Sequence, residues 1–281
     1  MKYLKLIRVK HYLKNLLLFL PILFGSKLFN LPLLAKTCAA FVIFSFTSSI
    51  IYILNDIMDI EKDRLHPVKK QCPLASGAVS RKKALVIAVI LFTIIFVLNF
   101  LLSGCLILNH WLLIYLILNI LYSIKLKNIP ILDISILSFG FLIRVLYGAS
   151  VTGIALSHWL YLTVLSASFY MGIGKRRNEY QQTDQQAREV LRHYNFEFLD
   201  KNFYVYFVLT IVFYSLWCID MREKFQYILL TIPFILLIMT KYNLDIESSS
   251  DGDPIATLTS DKILLTASLA FSVLMICILY L

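Results

Sequence analysis

Apolar windows long enough to cross a bilayer recur along the chain, centred near residues 20, 44, 92, 115, 141, 165, 211, 232 and 271. A segment inside hydrocarbon has no water to satisfy its backbone, so each window of about 20 residues must close its own hydrogen bonds as a helix. Composition agrees: of 281 residues, 59% are hydrophobic and 16% charged, and the mean hydropathy is +0.76, which excludes an ordinary soluble domain. The expectation is an all-α, polytopic membrane protein of about nine transmembrane helices, forming a single domain over residues 1–281.

The basic residues set an orientation. Of 27 Lys and Arg, 22 fall in alternate segments: the N-terminus to Lys14, the loop from Asn55 to Lys83, the link with Lys125 and Lys127, the loop from Lys175 to Lys201, and the last loop with Lys241 and Lys262. The intervening side holds Lys27, Lys36, Arg222 and Lys224, and Arg144 lies within a span. By the positive-inside rule the N-terminus and large loops are cytoplasmic and the C-terminus faces out. The net charge of +10 is therefore distributed for an anionic leaflet or an anionic substrate, not for nucleic acid.

Residues 1–14, "MKYLKLIRVKHYLK", alternate basic and apolar positions and suit a helix lying on the cytoplasmic interface, or simply a positive anchor that sets topology. No small-residue cleavage site follows, so the first helix is expected to stay attached. Cys38, Cys72, Cys105, Cys218 and Cys277 show no CxxC spacing, which points away from a disulfide framework and a zinc site. Apart from the polar run Glu247 to Pro254, there is no linker or repeat.

Chemistry concentrates at three places. In "NDIMDIEKDRLHPVKK", residues 55–70, Asp56, Asp59 and Asp63 stand at i, i+3 and i+7, within roughly 60° of one another on a continuing helix. Like charges on one face call for a cation. Mg²⁺, a hard ion that bridges one or two carboxylates to substrate phosphates, satisfies that need; so does a solvated acidic helix end neutralised by Lys62, Arg64, Lys69 and Lys70. Asn55 adds an amide that can orient the cluster, and His66-Pro67 and Pro73 mark where the helix ends.

The second place holds Asp133 and Arg144, which share a face about 16 Å apart along one helix. That is too far to pair, so each needs its own partner in a cavity. The third is "YMGIGKRRNEYQQTD", residues 170–184. Its Lys175, Arg176 and Arg177 suit both a helix C-terminus and a bound phosphate. No GxSxG, P-loop, HExxH or GxGxxG occurs, leaving serine hydrolase, P-loop, zinc protease and Rossmann readings without support.

These residues resemble the UbiA superfamily of intramembrane prenyltransferases, whose NDxxDxxxD motif is matched by Asn55, Asp56, Asp59 and Asp63. More closely they resemble its decaprenyl-phosphate phosphoribosyltransferase branch, in "RVKHYLKN" from Arg8 to Asn15, "DRLHPVKKQCPLASG" from Asp63 to Gly77, the YSxxLKxxxxLD pattern from Tyr122 to Asp133, and the KRxxE stretch from Lys175 to Glu179. Val9 and Cys72 depart from the branch pattern of Pro and Arg. A second DxxxD motif of prenyl-diphosphate enzymes is missing, the later loop offering Glu179 and Asp184 instead.

The resemblance implies a UbiA-like bundle with a cytoplasm-facing polar cavity, in the plasma membrane. It implies transfer of a 5-phosphoribosyl group from phosphoribosyl diphosphate (PRPP) to a polyprenyl phosphate, with diphosphate released and an envelope glycan downstream. Asp56, Asp59 and Asp63 would hold catalytic Mg²⁺. Lys10, Lys14, Asn15, Asn55, Arg64, Lys70, Tyr122, Lys125, Lys127, Asp133, Arg144, Lys175 and Arg176 would line the substrates. The bilayer is the remaining partner, and a homo-oligomer is compatible with these features. Two other readings stay open: a prenyltransferase joining a prenyl diphosphate to an aromatic acceptor, and a transporter using Asp133 and Arg144 as ligands.

The charge asymmetry makes a direct prediction: cysteines introduced into the Asn55–Lys83 and Lys175–Lys201 loops should resist an impermeant thiol reagent applied to intact cells and react after permeabilisation. Strong labelling from outside would reverse the topology.

Overall fold

The computed structural model describes residues 2–65, 69–103, 108–182, 189–248 and 254–281. The helix end expected at His66-Pro67, Cys105, Asp184 and residues 249–253 of the polar run lie outside the described residues. A short α1 (Lys2–Leu6) leads into a 3₁₀ helix (Val9–Phe19) continued by α2 (Leu20–Phe24). Then follow α3 (Leu31–Met58), α4 (Ile60–Leu65), α5 (Arg81–Ser103), α6 (His110–Ile124), α7 (Leu132–Thr152), α8 (His158–Gln182), α9 (Phe196–Met221), α10 (Thr231–Ser248), α11 (Pro254–Ser260) and α12 (Lys262–Tyr280). Among the described residues there is no strand.

The chain is all-helical and multi-pass. The apolar windows correspond to the 3₁₀ helix with α2 and to α3, α5, α6, α7, α8, α9, α10 and α12. Six segments, including α3, α5, α7, α9 and α12, are by themselves long and apolar enough to cross a membrane; α6 is shorter, and α8 is diluted by its polar end. Side-chain caps start several helices: Asn30, Asn109, Asn195 and Asp261 each accept a backbone N–H from the first turn of the helix they precede.

The helices pack as neighbours in the order α5, α3, α6, α7, α8, α9, α10, α12, with α12 meeting α2 and the 3₁₀ helix lying against both α3 and α7. Tyr280 fastens the last helix to the first segment, its hydroxyl accepting the Leu28 N–H at 2.8 Å and donating to Leu23 O at 2.9 Å. The Lys/Arg-rich segments meet at the opposite end through ion pairs of Arg8 with Asp56, Lys127 with Asp59, and Arg177 with Asp200 and Glu247.

Residues 1–14, read as an interfacial helix or a positive anchor, do not form one unbroken helix. The segment breaks at Arg8, which adopts the left-handed conformation (φ 53°, ψ 49°). Leu6 is buried beneath α3 and α5, and the Ile7 carbonyl accepts the Ser49 hydroxyl at 2.7 Å. The chain is thus pinned to α3 and must turn sharply to run along it.

After the turn, the 3₁₀ geometry of three residues per turn makes positions i and i+3 eclipse. Tyr12, Asn15 and Leu18 therefore form one face. Tyr12 bonds Ser49 Oγ at 2.8 Å, Asn15 Nδ2 donates to Ser45 Oγ at 2.9 Å, and Leu18 packs on α7 at Gly148. A Cβ at Gly148 would lie 2.2 Å from the Leu18 carbonyl oxygen, so only glycine admits this approach. Gly148→Val should therefore push the 3₁₀ helix off α7 and cost about 1–3 kcal/mol or more. The check is a lowered denaturation midpoint in detergent.

Candidate active site

Asp56 sits in the last turn of α3 and Asp59 at its C-cap, where the helix hitches before α4. Carbonyls at a helix C-terminus carry partial negative charge, so acidic groups there are unfavourable unless a cation meets them. Cations do meet them. Arg8 donates from Nη2 to Asp56 Oδ1 at 2.6 Å, and Lys127 Nζ lies 3.8 Å from Asp59 Oδ2. Asp63, one turn further on, is buried. Glu61 points elsewhere, to Arg64 and Arg81, as its place on the other side of the helix predicts.

Among the described residues, no three of His, Cys, Asp and Glu converge closely enough to hold a metal by themselves. The expected three-carboxylate site is thus an edge rather than a cage: hard oxygen donors spaced along α3 and α4, with side-chain cations already against two of them. That donor set fits a hard divalent ion which draws its remaining ligands from phosphate and water.

Beside this edge lies a polar chamber of about 100 Å³, lined by Lys14, Tyr52, Asn119, Arg144, Met171 and Lys175 among others, with three cations and no carboxylate among the described residues of its wall. Its free volume matches roughly three water molecules. Arg144 is 6% exposed. Its Nε donates to Asn15 Oδ1 at 2.8 Å, Nη1 to Gly140 O at 2.5 Å and Nη2 to the Tyr115 hydroxyl at 3.2 Å, with Phe44 and Tyr115 stacked about it. All three acceptors are neutral, so none of them offsets the guanidinium's charge beside the chamber. Arg144 lines the chamber wall and also ties the 3₁₀ helix to α6 and α7.

A second cavity, about 410 Å³, adjoins the first. Its wall shares Lys14, Phe141 and Met171 with the polar chamber and is otherwise almost wholly apolar, running past Leu17, Tyr214, Ile238 and Leu264. This is the size of a site for a sizeable organic ligand. Lys14 and Leu17 face it because they are three apart on the 3₁₀ helix, on a different side from Tyr12, Asn15 and Leu18.

Several residues expected to touch substrate are engaged by protein instead. Asp133 is fully buried and Arg176 is 1% exposed. Arg176 Nε donates to Asp133 Oδ2 at 2.6 Å, Nη1 to Glu179 Oε2 at 2.6 Å, and Nη2 to the Tyr122 hydroxyl at 3.3 Å. The other Asp133 oxygen accepts the Tyr194 hydroxyl at 2.6 Å, and that hydroxyl accepts the Ile131 N–H. Burial, then the bond to Asp133, pushes the Tyr194 phenol above its ordinary range. Asp133, Arg176 and Tyr122 thus form a buried lock between α7 and α8, because each charge finds its partner within the protein.

Asn15 is likewise buried between Ser45 and Arg144, and Arg64 is turned to Glu61 and the Ala75 carbonyl. Asn55 is half-buried, its carbonyl accepting the Asp59 N–H. Lys10, Lys70 and Lys125 are exposed. The site residues missed by sequence reasoning are Arg8, Tyr52, Tyr115, Asn119 and Tyr194. Only Arg8 carried a signal, as the first residue of "RVKHYLKN"; the others are ordinary span or loop residues until the helices bring them together.

The chain matches the model of the UbiA prenyltransferase family over residues 17–260. It is 31% identical over 277 residues to the decaprenyl-phosphate phosphoribosyltransferase of Corynebacterium glutamicum, covering 95% of this chain and 83% of that protein. With the enzyme of the same name from Mycobacterium tuberculosis it shares 30% over 277 residues, covering 95% and 90%. Among solved structures, a UbiA homolog from Archaeoglobus fulgidus bound to DMAPP and Mg²⁺ superposes with a TM-score of 0.72 at 19% identity, covering 99% of this chain and 100% of that one. Family model, relatives and fold agree: the chain belongs to the UbiA prenyltransferase family.

Proposed function

We propose that this chain transfers the 5-phosphoribosyl group of PRPP to a polyprenyl phosphate and releases diphosphate. The observation that carries the reading is the shared wall of the two cavities. A phosphate-sized chamber rich in cations lies against an apolar cavity, with Lys14 lining both, and a lipid with a phosphate head has that division of chemistry. The relatives named as decaprenyl-phosphate phosphoribosyltransferases support the same substrate pair.

In this reading the first isoprene units lie along Leu17, Ile238 and Leu264, and the acceptor phosphate meets Lys14, Arg144 and Lys175. The donor lies across the edge of α3 and α4, near Arg8, Lys127 and the exposed Lys125. A phosphate oxygen attacks C1 of the ribose as the bond from C1 to the diphosphate oxygen breaks, the electron pair leaving with the diphosphate. The acceptor is already ionised, so no general base is required, and the protein's work is positioning and charge stabilisation. Mg²⁺, held by Asp56, Asp59 and Asp63 together with substrate oxygens, would supply charge neutralisation for the leaving diphosphate. The lock of Asp133, Arg176 and Tyr122, closed over by Tyr194, holds the chamber wall without touching substrate.

Three outcomes are expected. Membranes given labelled PRPP and polyprenyl phosphate should yield an organic-extractable labelled lipid, whereas labelled prenyl diphosphate with an aromatic acceptor should not; the reverse would establish a prenyl donor. Chelation, Asp56→Asn or Asp59→Asn should lower that activity by about 10²-fold or more while the protein still inserts, and full activity in chelator would remove the metal. Arg144→Lys keeps the charge but loses the planar fork. It should raise KM for one phosphorylated substrate and, through the lost bonds to Asn15 and Gly140, cost about 1–3 kcal/mol of stability; unaltered kinetics for both substrates would remove Arg144 from binding.

A further inference from the structure

Arg8 is held where a metal ion would otherwise be wanted. Its backbone is in the left-handed region, at a sharp break between α1 and the 3₁₀ helix, an arrangement that costs free energy for a side chain with a Cβ. That conformation aims the guanidinium over the Tyr52 ring, 4.5 Å from its centroid, and brings Nη2 to 2.6 Å from Asp56 Oδ1. Asp56 is the first acidic residue of the edge, and Tyr52, one turn earlier on α3, lines the polar chamber. The Arg8 side chain is 32% exposed and that of Asp56 7%, so the guanidinium has room to leave and the carboxylate does not.

We propose that Arg8 is a resident cation that occupies Asp56 until a divalent ion and a diphosphate-bearing donor arrive, and that it then pivots over Tyr52 to bind a donor phosphate. A guanidinium fork suits carboxylate and phosphate equally well. Within the chain its charge offsets Asp56 at the C-terminal end of α3, and in the complex it offsets the donor. The exchange keeps the edge neutralised before and after binding. It gives metal and donor positive cooperativity, since each frees the partner the other needs. The proposal rests on a diphosphate donor binding at this edge.

The test measures two affinities of the purified full chain in detergent and uses no lipid acceptor: Mn²⁺ by electron paramagnetic resonance, and inorganic diphosphate in the presence of saturating Mn²⁺. Arg8→Gln should bind Mn²⁺ alone about tenfold more tightly than the unaltered chain, and diphosphate about tenfold more weakly. A merely structural ion pair does not weaken diphosphate, and a merely phosphate-binding arginine does not tighten Mn²⁺. Effects of the same sign, or no change in either, overturn the proposal. If Arg8→Gln fails to fold by thermal denaturation, Arg8→Lys replaces it, with the same opposed signs at two- to threefold. Failure of the proposal is separable from failure of the assigned reaction, which is read by the labelled-donor assay.

Discussion

Carboxylates at the C-terminal end of a long apolar helix are electrostatically misplaced, and much of the molecule is organised around that fact. Asp56 and Asp59 add negative charge to the end of α3, whose own carbonyls are already negative. Within the chain the remedy is local and cationic: the N-terminus turns at Arg8 to reach Asp56, and the link after α6 brings Lys127 toward Asp59. The same unfavourable charge makes the edge receptive to an incoming cation. A binding site for a hard ion and a polyanion is a place where the fold leaves electrostatic work undone.

A second constraint sets the opposite wall. The buried pair of Asp133 with Arg176 joins the first turn of α7 to the end of α8, and Tyr194 closes over it. Breaking such a pair by removing one partner costs about 3–5 kcal/mol, so the two helices are held in one register. Arg144 lies three turns along α7 from Asp133, and Lys175 precedes Arg176 on α8. The lock therefore fixes the cations on either side of the chamber without itself facing it. Tyr194 also holds Ile131, a β-branched residue at φ 69°, which places the start of α7.

Much of this was legible in the sequence because hydrocarbon leaves few choices. The apolar windows and the alternation of basic segments specify a multi-pass helical bundle with one charged end. The spacing of Asp56 and Asp59 along one helix end follows from helical periodicity, and Arg144, an ionisable residue within a span, lines the polar chamber. What could not be read is pairing between helices. Arg144, alone within a span, and Arg176, one of three adjacent cations at a helix end, both suit a bound phosphate by sequence, yet one meets neutral acceptors and the other meets Asp133. That difference arises from which helix lies opposite, information carried by packing and not by local pattern. The N-terminal segment follows the same rule: its alternating basic and apolar residues suit an interfacial α-helix or a positive anchor, but the pinning of Leu6 and Ile7 to α3 forces a turn and a tighter helix.

The 3₁₀ helix bears on how this segment can vary in length. Its faces repeat every third residue, so a single insertion or deletion between Arg8 and Lys14 would rotate everything beyond it by about a third of a turn. Such a change would carry Lys14 out of the wall shared by the two cavities, a deletion putting the packing residue Asn15 in its place and an insertion the apolar Leu13. An α-helix would partly absorb the shift, since its faces are broader and its period is not a whole number. Here only changes of three residues preserve the division between the side that anchors to α3 and α7 and the side that meets the cavity. The spacing from the Arg8 turn to Lys14 thus acts as a ruler, matching the distance between the acidic edge and the mouth of the apolar cavity in whole turns.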